Sequence, residues 1–236
     1  MDFLEIYAKH ADRYDELVNA EDVDAHLLPA IQAVTPLQGE SILEVGVGTG
    51  RITRLLVGAG ARVVGFEKSP AMLEVARKHL GAHGDGCRLE LGDAQSLPVE
   101  SGWASAAIAG WVFGHFRYWM PQDWRESIGR AISEMRRALR PGGALIIIET
   151  LGTGREVPEP PNPALAEYYD WLENELGLVR GHLRTDYLFD SVDQAADVTG
   201  FFFGEAFGAL VRERAWRRIP ECTGLWSRRY EDAGSR

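Results

Sequence analysis

Residues 41–57 read Ser41-Ile42-Leu43-Glu44-Val45-Gly46-Val47-Gly48-Thr49-Gly50-Arg51-Ile52-Thr53-Arg54-Leu55-Leu56-Val57. The short apolar run of Ile42, Leu43 and Val45 predicts a buried strand. Three glycines come next, at every second position. Ile52, Leu55 and Leu56 then recur at helical spacing. Strand, glycine turn and helix form the first half of a βαβ unit. The glycines let the chain turn tightly and let a ligand approach without a Cβ in the way. The helix behind them offers unpaired N–H groups at its start.

The spacing separates two kinds of nucleotide ligand. A dinucleotide fingerprint needs G-x-G-x-x-G, its third glycine allowing close packing of helix on strand. Here Arg51 stands at that place and is too large for the role. Glu44, two residues before the first glycine, would repel a pyrophosphate and suits a ligand with a positive amine. Together these point away from NAD and toward S-adenosyl-L-methionine (SAM), which carries an α-amino group and a sulfonium.

Working outward, the 236 residues suit one α/β domain spanning 1–236. Hydrophobic residues make up 45% and charged residues 25%, a soluble composition. No apolar run is long enough for a transmembrane helix. Met1 to Glu5 is acidic and lacks the basic start of a signal peptide. Two distant cysteines, Cys87 and Cys222, do not make a disulfide scaffold and fit a reducing cytoplasm. The formal charge of −10 disfavours a polyanionic partner such as DNA or RNA. The arginines between Arg212 and Arg229 run against that trend and read as a solvated face. No His/Cys cluster has metal-ligand spacing, so no metal is expected. A cytoplasmic monomer or homodimer acting away from membranes is the expectation.

Residues 1–36 carry helical patterns and many acids. They have too few apolar positions to fold alone, so they must lie against the main domain as a lid or a sheet cover. Arg62 to Glu67 predicts a second strand. Glu67 ends it, where such sheets place an acid for a ribose diol. Ser69-Pro70 starts a helix as N-cap and first residue. Cys87 to Asp93 predicts a third strand; Asp93, at its end, can accept the amino group of adenine or cap the next turn. Trp103 to Val112 is a small, apolar and therefore central strand running into Gly110-Trp111-Val112-Phe113-Gly114-His115-Phe116. A helix over 122–139 comes after it, then a fifth strand, Ala144 to Ile148, with Glu149 at its end. Residues 152–216 form a substrate-side loop and helices, with a strand around His182 to Phe189. Thr223 to Arg229 predicts the last strand.

These stretches resemble the class I SAM-dependent methyltransferases of the type 11 sort. The resemblance rests on Glu44-x-Gly46-x-Gly48-x-Gly50, Val64-Gly65-Phe66-Glu67 with Ser69-Pro70-x-Met72-Leu73, Gly92-Asp93-Ala94 with Leu97-Pro98, and Leu139-Arg140-Pro141-Gly142-Gly143. It covers roughly residues 38–150. It implies a doubly wound, Rossmann-like seven-stranded sheet of order 3-2-1-4-5-7-6, strand 7 antiparallel, with N-terminal lid helices. Glu44, Gly46, Gly48 and Gly50 would then hold the methionine part of SAM, and Glu67 the ribose. Met72 would pack near adenine, with Asp93 and Ala94 on its amino edge. Residues from Gly110 onward would close the cofactor from the substrate side. Tyr7 and Tyr14 resemble the lid tyrosines of small-molecule methyltransferases. The family's substrate residues are not shared.

Methyl transfer needs in-line positioning above all. A general base is needed only where the nucleophile starts protonated. His115 is the first candidate, because an ordinary imidazole titrates at about 6.5, and a packing role competes with it. Glu149 is the second, or a loop cap. Tyr187, with Asp186 and Arg184, can contact the acceptor, and an arginine there would favour a carboxylate. Trp111, Phe113, Tyr168, Tyr169 and Trp171 line a pocket or belong to the core. The expected activity is methyl transfer to a small molecule. Two alternatives use the same motifs: an enzyme that cyclises or transfers the aminobutyrate part of SAM and releases methylthioadenosine, and a non-catalytic SAM-binding module.

Overall fold

The computed structural model describes residues 3–81 and 86–231. In chain order the helices are α1 (Phe3–Lys9), α2 (Ala11–Ala20), α3 (Leu27–Val34), α4 (Arg51–Gly58), α5 (Pro70–Leu80), α6 (Phe113–Trp119), α7 (Trp124–Ala138), α8 (Pro163–Asp170), α9 (Val192–Phe203) and α10 (Glu205–Glu213). The strands are β1 (Ser41–Val45), β2 (Arg62–Glu67), β3 (Cys87–Leu91), β4 (Ala104–Gly110), β5 (Leu139–Thr153), β6 (Val179–Arg184), β7 (Tyr187–Leu188), β8 (Arg218–Ile219) and β9 (Glu221–Arg229).

Seven strands form one sheet in the order β3-β2-β1-β4-β5-β9-β6. β9 runs antiparallel to both its neighbours, β5 and β6. The remaining pairs, β3 to β5 through the centre, are parallel. Counted within the sheet, this is the expected 3-2-1-4-5-7-6 order with the last strand reversed.

Side chains alternate across the sheet. Leu43, Val45, Ala107 and Ala109 face α7, where Ile128, Ala131, Ile132 and Met135 meet them. Ile42, Val63, Ala106 and Ile108 face the other way, against Leu27, Ile31, Ile52 and Leu56 of α3 and α4. The alanines of β4 are fully buried between the helices on the two faces. Each fully buried Leu or Ile stabilises the fold by about 1.5–3 kcal/mol relative to exposure. Ser69 caps α5 by accepting from the Met72 N–H, with Pro70 in the first turn, as the Ser-Pro pair predicts.

Three local features differ from expectation. Residues 113–119 form α6, which the aromatic, glycine-containing sequence does not announce. Residues 182–189 do not make one strand. β6 ends at Arg184 on the sheet edge, while β7 pairs with β8 in a separate two-stranded ribbon. The break lies at Thr185-Asp186, where Asp186 accepts from Arg184, Arg218 and the Glu221 N–H. Among the helices expected over 152–216, α8 is continued by a π-helical turn over Trp171–Glu175.

The N-terminal helices do not stand apart. α1 and α2 pack on α5, and α2 also packs on α9. Leu17 joins a cluster with Tyr187, Phe189, Ala195, Val198 and Val211. No helix among the described residues is long and apolar enough to cross a membrane.

Candidate functional site

The glycine turn opens a small cleft at the carboxyl end of β1. Its walls include Tyr14, Glu44, Gly48, Thr49, Gly110 and Trp111. Gly48 has φ +58°, and a Cβ built there would meet nothing nearer than the Tyr14 ring at 3.9 Å. The glycine thus leaves a shallow cradle between turn and lid. Gly46 is constrained more tightly: at φ +72°, a Cβ would lie 2.3 Å from Val112 Cγ2. Glu67 stands beside the turn, accepting from the Gly48 N–H at 2.9 Å and the Ser69 N–H at 2.8 Å. Thr49 Oγ1 is buried in the cleft and has no hydrogen-bond partner among the described residues. Glu44 accepts from Thr53 Oγ1 at 2.7 Å, and burial pushes its carboxyl up to about 8.

A larger cavity of about 340 Å³ adjoins this cleft. The two share Tyr14, Val18, Arg51 and Trp111 as walls. Phe3, Tyr7 and Leu17 come from the N-terminal helices, and Phe202, Phe203 and Phe207 from α9 and α10. The ring of Trp111 lies under the Arg51 guanidinium at 3.9 Å, a cation–π contact. Trp111 also sits at φ +55°, sparse ground for a bulky residue, as is common at functional sites. Arg51 in turn pairs with the buried Glu21, so α4 is tied to the end of α2. In the sequence Arg51 stands out only as the residue that spoils a dinucleotide turn; its place between two cavities needs the fold.

His115 and Glu149 both line the larger cavity. His115 Nε2 lies 2.8 Å from Tyr7 Oη, and its ring stacks on Trp119 at 5.1 Å. Burial lowers the imidazole to about 4. The ordinary pKa that recommended it as a base is therefore lost, and it is neutral at pH 7. Glu149 accepts from the Gly114 N–H at 2.9 Å. Burial pushes its carboxyl up to about 8, near the pH at which a general base works best. Tyr187 lines the cavity too, but burial holds its hydroxyl well above the usual phenol range, so it stays protonated.

Other expected residues are not on the walls of these two cavities. Arg184 is absent from the cavity wall; it is held by Glu156 and Asp186 beside the sheet edge. Phe113 is fully buried and packs edge-on to Phe116 within the core. Tyr168, Tyr169 and Trp171 are likewise core. Met72 is buried with Val75 and Ala11 under Tyr7 and Tyr14. Asp93 is half-exposed, caps its own turn through the Gln95 N–H at 2.9 Å and lies 3.4 Å from Lys68. Ala94 packs partly buried on the main core. Glu21 and Glu221, both on the cavity wall, had no motif to mark them: one sits in an acidic stretch, the other just before the predicted last strand.

The Methyltransferase domain family matches residues 43–147. The chain is 30% identical over 169 residues to the demethylmenaquinone methyltransferase of Thermus thermophilus, covering 70% of each chain. It is 28% identical over 163 residues to an uncharacterized methyltransferase of Oceanobacillus iheyensis, covering 67% of this chain and 71% of that one. Among solved structures, the YcgJ protein of Bacillus subtilis superposes with TM-score 0.59 at 14% identity, over 89% of this chain and all of the other. That structural likeness speaks for the fold.

Proposed function

This chain belongs to the class I SAM-dependent methyltransferases, and from that premise we propose that it methylates a small, largely apolar molecule seated in the cavity beneath the N-terminal helices. The observation that carries this reading is the aromatic-walled space of about 340 Å³ next to the glycine turn, with four residues common to both walls. Its size is that of a small-molecule site. Relatives named for demethylmenaquinone and for ubiquinone/menaquinone C-methylation support an unsaturated, apolar acceptor.

The cofactor is S-adenosyl-L-methionine, and the residues of the small cleft fit it. The buried, unpartnered Thr49 hydroxyl and the cradle at Gly48 suit a polar group pressed against the turn. Glu67, already fixed by two backbone amides, would take the ribose hydroxyls. Gly46, Gly48 and Gly50 would keep the turn open to the methionine part, with Glu44 behind them and Gly110 and Tyr14 closing its sides. Asp93, Ala94 and Met72 would border the adenine. When bound, SAM supplies a methyl group on a sulfonium, open to in-line displacement.

The chain's own residues then orient, exclude water and manage one proton. Tyr7, Tyr14, Phe202 and Phe203 cover the acceptor and keep water out. Trp111, held by Arg51, borders both spaces and would align nucleophile with cofactor. Where the acceptor starts protonated, Glu149 would receive that proton on its carboxylate, buried and held by the Gly114 amide. Such positioning is worth on the order of 7–11 kcal/mol in well-oriented systems. Product analysis tests the reading: S-adenosylhomocysteine formed only with an acceptor present supports it, and methylthioadenosine contradicts it.

A further inference from the structure

We propose that the acceptor carries a basic nitrogen, bound as an ammonium against Glu221 in the larger cavity. This rests on reading that cavity as the acceptor site. Among the described residues, five charged ones line it: Glu21, Glu149 and Glu221 against Arg51 and Arg155. Glu21 is taken by Arg51. Arg155 is half-exposed and turns to Glu159, which is not on the wall. Glu149 is held by the Gly114 amide, with the Tyr168 hydroxyl at 3.5 Å.

Glu221 is the carboxyl left over. It is 1% exposed. Its Oε1 accepts from Thr150 Oγ1 at 2.6 Å, and the Thr153 hydroxyl lies alongside. Its Oε2 is buried with no aligned donor among the described residues. Leaving such an atom unsatisfied costs on the order of 1–3 kcal/mol, so a missing partner is the economical explanation. A neutral hydroxyl would fill the lone pair and leave Glu221 protonated. An ammonium fills it and pairs with the ionised carboxylate. Rings of Phe203 and Phe207 also line the cavity, and aromatic faces attract cations.

Burial pushes Glu221 up to about 8, with Glu21 adding to the effect and Arg51 opposing it. Near pH 7 the empty carboxyl holds a proton. An entering ammonium displaces that proton to solvent and leaves an ion pair, so binding releases one proton.

The test uses the full chain loaded with S-adenosylhomocysteine, titrated calorimetrically with 2-phenylethylamine and with its uncharged match 2-phenylethanol. The amine is expected to bind about tenfold tighter or more, as a buried charge pair provides, with heats that vary with buffer ionisation enthalpy. Glu221→Gln should bring the two probes to within about twofold, with S-adenosylhomocysteine affinity unchanged. The ratio and the proton release on the unaltered chain stand even if that variant does not fold. Equal binding of amine and alcohol overturns the ammonium and leaves the acceptor cavity intact. An amine advantage that survives in folded Glu221→Gln overturns the role of Glu221. Neither probe binding at about 10 mM, to protein that binds S-adenosylhomocysteine, overturns the cavity reading as well.

Discussion

Tyr7 Oη stands 2.8 Å from Nε2 of His115, joining the first helix of the chain to the aromatic segment after the central strand. Burial keeps this imidazole neutral, so the contact is a neutral hydrogen bond between phenol and ring. The pair works as a latch that holds the N-terminal helix over the cavity. Tyr7→Phe and His115→Ala should each destabilise the fold, and the double variant should cost less than their sum by about 0.5–1.5 kcal/mol, the net worth of one hydrogen bond. Additive losses in denaturant unfolding would remove the latch.

Glu149 is the proposed proton acceptor, and its raised pKa makes that role readable. With an acceptor that must lose a proton, kcat/KM should rise with pH toward a limb near 8, where the carboxyl becomes ionised. Glu149→Gln should lower kcat/KM by about 100-fold and abolish the limb. A profile that keeps its limb in the variant would assign the proton elsewhere.

Two glycines allow a matched test of the cofactor cradle. Gly48 and Gly39 both have positive φ, +58° and +75°; among the described residues, a Cβ on Gly48 would come no nearer than 3.9 Å to another atom, and one on Gly39 would meet nothing within 4 Å. Alanine at either should cost a similar amount of stability, about 1 kcal/mol, from backbone strain alone. Only Gly48→Ala places a methyl group in the cleft beside Tyr14, so only it should weaken SAM binding, by about tenfold or more. Equal SAM affinities by calorimetry would take the cofactor out of that cradle.

Stability should fall as pH rises between about 6.5 and 8. Glu44, Glu149 and Glu221 each titrate near 8 when folded, chiefly because they are buried, against about 4.3 when unfolded. The folded chain therefore holds protons that the unfolded chain has released. Their contribution is complete below the unfolded value and is lost as pH climbs through the folded one, at on the order of 1 kcal/mol per pH unit for each group. His115, lowered to about 4, acts oppositely, but only below about 6.5. A Tm that is flat or rising across pH 6.5–8 would contradict the burial of neutral carboxyls, and Glu44→Gln should flatten the slope by roughly one third.

Much of the fold was legible because its signals are local. The Ile42–Val45 run, the glycine spacing and the Ser69-Pro70 cap each specify their structure within a few residues, and Glu67 at the end of β2 marks the sheet's open side, whereas Glu149, expected at the end of a strand over Ala144 to Ile148, lies within the longer β5. The acceptor side was not legible for the opposite reason. Glu21 and Glu221 are 200 positions apart in sequence and meet only because the last strand inserts beside β5. Arg184 and Tyr187 are three residues apart, yet the break at Asp186 sends one to the sheet edge and the other to the cavity wall. His115 does line the cavity, but its pKa depends on burial, which no motif states.

The most direct test of methyl transfer follows the fate of SAM itself. The chain is incubated with methyl-labelled SAM and a panel of small aromatic acceptors, and the products are resolved by mass spectrometry. S-adenosylhomocysteine and labelled acceptor are expected in equal amounts, and neither without acceptor. Release of methylthioadenosine, with the label still on it, would contradict methyl transfer.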